Sequence, residues 1–262
     1  MHTSASLAPG TTIAIVGAGR LGRVLARALR AAELGVVGPL GRDERIPDVD
    51  VVLLSVPDAA IADAAAIARP HARFLGHVSG ATALTDVDFS LHPLQTFTGD
   101  EPAEVFRGIG AAIAGHTPAG REVAEQLALA LGARPFEVDD AHRASYHAAA
   151  SSASNFVLTV LDAAEDLASN AGIPRDVARS LLAPLVRQTV ENWAKDGAAA
   201  VLTGPIARGD EETVARQRAV AEGLELDDLF DALAAATREV AARPTATASA
   251  IAPATALEEP PA

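Results

Sequence analysis

The sequence has no cysteine. That removes disulfides, thiolate metal sites and cysteine nucleophiles together, and leaves the redox compartment open. Lysine is almost as scarce: Lys195 is the one lysine among 21 basic residues, so any mechanism that needs a lysine has a single candidate. Positive charge is short overall, because 34 acidic side chains bring the formal net charge to -13. Such a balance argues against a surface built to neutralise nucleic-acid phosphates or anionic lipid, and no nucleic-acid partner is expected. Met1 to Gly10 has no basic segment followed by an apolar one, so no export signal is expected. The longest uncharged stretch, Ala144 to Leu161, carries His147, Asn155 and several serines and reads as a buried helix, not a membrane span. The expectations are therefore no membrane association and a cytoplasmic location. The seven histidines are scattered without ligand spacing, so no metal is expected.

The 262 residues suffice for one large domain or two modest ones. Thr11 to Val16 is a β-branched run that ends in Gly17-Ala18-Gly19-Arg20-Leu21-Gly22, after which Leu21, Leu25, Ala28 and Leu29 recur at helical spacing. Further apolar segments predict strands at Gly35 to Leu40, Val49 to Val56, Arg73 to Val78, Val87 to Leu91, Ile109 to Ala114 and Arg134 to Val138, with a helix from near Pro118. Strands alternating with helices over 11–139 predict an α/β fold, a Rossmann-type doubly wound parallel sheet. From residue 140 only helical segments follow, near 140–171, 175–195, 210–222 and 225–242, broken at Gly172-Ile173-Pro174 and Thr203-Gly204-Pro205. Residues 140–242 are thus expected to form an all-helical substrate and dimerisation domain. The Pro-, Ala- and Thr-rich tail 243–262 is expected to be disordered.

Chemistry concentrates at the predicted strand ends. Gly17 allows the tight turn, Gly19 lets the backbone approach a pyrophosphate, and Gly22 lets the helix lie close to the strand, while the helix N-terminus offers free N–H groups to the anion. Ala18, Arg20 and Leu21 complete that loop. After the second strand stands Arg42, where a carboxylate would select NAD; a guanidinium can instead bind a 2′-phosphate, for about 1.5–3 kcal/mol, which biases the choice towards NADP(H). Ser55, Val56 and Pro57 end the third strand on the nicotinamide-ribose side. Ser79, Gln95 and Arg208 are candidate substrate-binding residues, Arg208 as the grip on a carboxylate. His92, locked by Pro93 at the end of the fifth strand, is a candidate acid or orienting group. On the uncharged helix His147, Ser151, Ser154 and Asn155 fall on one polar stripe of an otherwise apolar rod, so the stripe is expected to face a cleft.

With GAGRLG, the SVPD and HVSG strand ends, SLHPLQTF, the YHAAASSASNF helix and LTGPIARGD, the chain resembles a bacterial family of Rossmann-like oxidoreductases with a C-terminal helical domain of unassigned function. The resemblance runs from Thr11 to about Ala242. It implies a branch of the 6-phosphogluconate-dehydrogenase-like superfamily, alongside ketopantoate reductases, pyrroline-5-carboxylate reductases and prephenate dehydrogenases. The hydroxyacid and ketopantoate branches use a Lys-x-x-x-Asn pair on the first helix after the nucleotide domain. This sequence offers His147-x-x-x-Ser151 and Ser151-x-x-x-Asn155 there instead. His92-Pro93 is similar to the histidine of the prephenate dehydrogenase branch.

The resemblance implies an NADPH-dependent reductase of a small carboxylate-bearing carbonyl compound, with ketopantoate the first candidate. His92 or His147 would deliver the proton, and Ser151 and Asn155 would orient the oxygen. An imidazolium donor implies reductive activity that falls as pH rises through about 6.5. The alternatives are a cyclic-imine reductase, whose substrate arrives protonated, and an NADPH-binding sensor or scaffold without turnover. Apolar faces around Phe156 to Leu167 and Leu181 to Val190 exceed what the helical part can bury, so a homodimer through these helices is expected.

Overall fold

A computed structural model describes Leu7 and residues 10–244, so the tail expected to be disordered lies, from residue 245 onward, outside the described residues. The chain divides into two compact units, Met1–Phe156 and Val157–Ala262. All seven expected strands are present, as β1 (Thr12–Val16), β2 (Gly35–Leu40), β3 (Val49–Leu54), β4 (Ala72–His77), β5 (Phe89–Pro93), β6 (Gly110–Gly115) and β7 (Arg134–Glu137). They form one sheet in the order β2-β1-β3-β4-β5-β6-β7. Side chains alternate along each strand, and the sheet is covered on both faces. Ile13, Ile15, Val51, Leu53 and Phe89 pack in one cluster with residues of helices α1 (Arg20–Ala31) and α3 (Pro118–Ala130). Ala14, Val52, Leu54 and Leu75 pack in the other with residues of α2 (Ile61–Ala68).

The sheet departs from the expected all-parallel pattern at one place, because β5 and β6 pair antiparallel. The connection between them, residues 94–109, holds only the 3-10 turn Ala103–Phe106 and no crossover helix to carry the chain back to the opposite edge. β6 therefore starts where β5 ends, with Leu94 N–H donating to Gly110 O at 2.8 Å. β5 itself remains parallel to β4, so His92 lies at the same edge as the ends of β1 and β3.

The first unit continues through α4 (Arg143–Ala153), past the boundary expected near residue 139. The uncharged rod expected over 143–161 is two helices, α4 and α5 (Asn155–Asn170), separated at Ser154 (φ −128°, ψ −73°). Ser152 and Ser154 hydroxyls donate back to the carbonyls of Ala148 and Ala150, at 2.8 and 2.7 Å, a pattern that bends helices. Nor is the rod buried: Leu158 is 65% exposed and Phe156 is exposed with it.

The second unit is helical, as expected. α5 and α6 (Arg175–Asp196) are joined by the turn at Gly172-Ile173-Pro174, and two four-residue helices, α7 (Ala198–Val201) and α8 (Pro205–Arg208), precede α9 (Glu211–Glu222) and α10 (Asp227–Ala241). Arg179 makes a two-pronged pair with the buried Glu165 carboxylate (2.8 and 2.9 Å), and Arg175 bridges to Asp162 and Asp166, which fixes α5 against α6. Arg218 grips Asp231 between α9 and α10. Among the described residues no helix is long and apolar enough to cross a membrane.

Candidate functional site

Strand order reverses between β1 and β3, and a crevice opens at their carboxyl ends, where doubly wound sheets take their ligands. Backbone sterics assign the three loop glycines different tasks. Gly17 has φ +112°, and a Cβ on it would lie 2.2 Å from the Ser55 carbonyl oxygen. A Cβ on Gly22 would lie 2.0 Å from the Gly17 carbonyl. These two are fixed by the fold. A Cβ on Gly19 would meet nothing within 4 Å, so the protein itself does not require glycine there.

Gly19 also caps α1, whose first turn has neither a side-chain cap nor an acidic residue, leaving its N–H groups facing the crevice free for an anion. The crevice has a volume of about 580 Å³ and is lined by Gly17, Ala18, Gly19, Arg42, Ser55 and Pro57, with Val56 beside them. Arg20 is exposed at the start of α1, and Leu21 packs partly into the core. Arg42 reaches the crevice together with two carboxylates, Glu44 and Asp63. Glu44 accepts a hydrogen bond from Gly41 N–H at the end of β2.

Two rungs connect β5 to α4. Ser90 and His92 share one face of the strand, and Arg143 and Tyr146 share one face of the helix. Arg143 is 4% exposed; it donates to Ser90 Oγ at 2.7 Å and to Asp140 Oδ1 at 2.5 Å. Asp140 in turn accepts from Leu84 N–H. One turn further along α4, the Tyr146 hydroxyl lies 2.6 Å from His92 Nδ1 with the two rings edge to face. The His147 ring sits 6.4 Å from that of His92, also edge-on. The structure thus brings the candidates His92 and His147 together and adds Tyr146.

Burial, with smaller contributions from His147 and Arg143, pushes His92 down to about 4, against a weaker opposing pull from Asp58. Burial raises Tyr146 to about 12. His92 is therefore neutral at physiological pH. The fall in activity expected between pH 6 and 8 from an imidazolium donor cannot come from His92.

The remaining candidates are more dispersed. Ser79 is buried, and its hydroxyl accepts from Ala81 and Thr82 N–H while donating to Thr82 Oγ1, so it organises its own loop. Gln95 is exposed and its side-chain oxygen accepts from Thr96 N–H. Ser151 is half-buried on α4, whereas Asn155 starts α5 beyond the Ser154 break, so the stripe is not continuous. Arg208 is an exposed residue of the second unit, on α8 between Gly204 and Gly209.

Residues 109–237 match the family described as Domain of unknown function (DUF2520). No curated protein matches the chain. Among solved structures it is similar to a provisionally named NADP oxidoreductase of Bacteroides fragilis (21% identity, TM-score 0.74), across 88% of this chain and 98% of that one. It is also similar to protein TM1727 of Thermotoga maritima, at 24% identity and TM-score 0.68 over 87% and 98% of the two chains. The pyrroline carboxylate reductase of Plasmodium falciparum, solved with NADP bound, matches at 11% identity and TM-score 0.56 over 88% and 98%. These likenesses show the fold: a Rossmann-like sheet domain followed by a helical one.

Proposed function

We propose that this chain is an NADPH-dependent reductase of a small carboxylate-bearing carbonyl compound, with ketopantoate the first substrate to try. The observation that carries the reading is the crevice at Gly17, Gly19 and Ser55 opening at the same sheet edge as the half-buried His92. Open space at Gly19 and the uncapped α1 N-terminus suit a pyrophosphate, and Arg42 suits a 2′-phosphate. Bound NADPH supplies the hydride. Ser55, Val56 and Pro57 form the wall against its nicotinamide ribose. His92 faces the substrate oxygen as a hydrogen-bond donor and stabilises the negative charge that develops on it. Solvent water provides the proton that neutralises this oxygen. His147, Ser151 and Asn155 are proposed to orient the substrate with Gln95.

A second reading, reduction of a cyclic imine, is favoured by the neutrality of His92: an iminium arrives protonated and asks no acid of the protein. The P. falciparum reductase bears a name of that class. NADPH oxidation with ketopantoate, pyrroline-5-carboxylate and other 2-keto acids, run side by side, separates the two. Turnover on ketopantoate supports the first, turnover on the imine alone the second, and NADPH binding without oxidation on any of them points to a sensor. A homodimer through α5 and α6 is part of the proposal, since Leu181, Leu185 and Trp193 on α6 are all more than half exposed.

A further inference from the structure

We propose that Tyr146 is a positioning residue: by donating its hydroxyl proton to His92 Nδ1 it holds the imidazole in the tautomer with its proton on Nε2, the nitrogen left to face substrate. The inference deepens the reductase reading and rests on it for the identity of what Nε2 meets.

The geometry leaves one arrangement. Among the described residues His92 Nδ1, at 2.6 Å, is the only hydrogen-bond partner of the Tyr146 hydroxyl, and Tyr146 the only one of the His92 ring. A phenol is a better donor than acceptor, and a neutral imidazole nitrogen is a good acceptor, so the proton lies between them on the tyrosine side. The ring packs between two neighbours: Gly80, whose missing side chain makes room for it (a Cβ there would lie 2.9 Å from the ring), and Tyr146, which meets it edge to face at 5.5 Å. Phe136 supports Tyr146 from behind at 5.9 Å, and the Arg143–Ser90 rung sets the height of α4. The groups whose charge reaches His92 are His147, Asp58, Arg143 and His77, and the surrounding burial keeps the ring uncharged. A fixed neutral donor polarises the substrate without passing through a cation.

Nitrogen-15 NMR of histidine-labelled protein reads the tautomer directly, with or without turnover. The expected result is His92 with a protonated Nε2 and an unprotonated Nδ1 from pH 6 to 8. In Tyr146→Phe, which keeps the ring packing, the two tautomers of His92 mix. If the wild type turns over a substrate, kcat of the variant falls about tenfold while KM for NADPH stays unchanged, and Tyr146→Ala is worse than Tyr146→Phe. A His92 proton on Nδ1 in the wild type, or a Tyr146→Phe protein with unchanged tautomer, overturns the proposal. Absence of turnover on every substrate sinks the reductase reading alone, because the NMR result stands independently.

Discussion

The two units solve the same physical problem in opposite ways. In the first, the sheet is covered on both faces and its large strand residues, such as Ile13, Leu53 and Phe89, are fully buried. In the second, the 22-residue α6 buries only Ala178, while Leu185 is 63% and Trp193 55% exposed. Besides small apolar residues such as Ala178, Ala221 and Ala234, the second unit buries a charge: Glu165 on α5, held by Arg179 and Arg175. The first unit is held by its apolar interior. The second takes its register from ion pairs, which set geometry more than stability, and leaves an apolar face that a second copy would cover.

The glycine loop gives the largest expected effect. Gly17→Ala and Gly22→Ala each drive a methyl into backbone and should cost about 3–5 kcal/mol, read as a lowered Tm. Gly19→Ala should leave Tm unchanged and weaken NADPH binding tenfold or more. Next, Leu53→Ala in the first unit should cost about 2–5 kcal/mol. Leu185→Glu in the second should barely lower the stability of a single chain but convert the proposed dimer to a monomer, read by light scattering. A monomeric wild type would break the comparison.

The histidines come third. His77 and His92 are both pushed below their ordinary value by burial, so the unfolded chain binds protons that the folded one refuses. Stability is therefore full above about pH 6.5 and is lost as pH falls towards 4, by up to about 3 kcal/mol for His92. Urea titrations across that window check it, and His92→Gln should flatten the slope. Smallest, Arg42→Ala should cut the preference for NADPH over NADH ten- to a hundredfold, about 1.4–3 kcal/mol.

Much of this architecture was legible in the chain. The strand-glycine-helix pattern at 11–29 and the Gly172-Ile173-Pro174 break carry their own punctuation, and the structure places them where periodicity does. The β5–β6 direction was not legible, because an apolar run reads the same either way and the connection decides. The Ser154 break has no glycine or proline to announce it; it comes from serine hydroxyls turning back to helix carbonyls. Tyr146 escaped because the stripe read from His147 passes beside it, and its partner is 54 residues away. The one available signal was the chain's only tyrosine, set one turn after Arg143 in a helix otherwise rich in alanine and serine. The neutrality of His92 depends on burial that no spacing reveals.

The central claim, that the crevice of the first unit is a dinucleotide site with room for a 2′-phosphate, is tested most directly by titrating the protein with NADPH and with NADH, before any substrate is known. The expected result is saturable binding, at least tenfold tighter for NADPH and displaced by 2′,5′-ADP. No saturable binding of either nucleotide would contradict the account at its base.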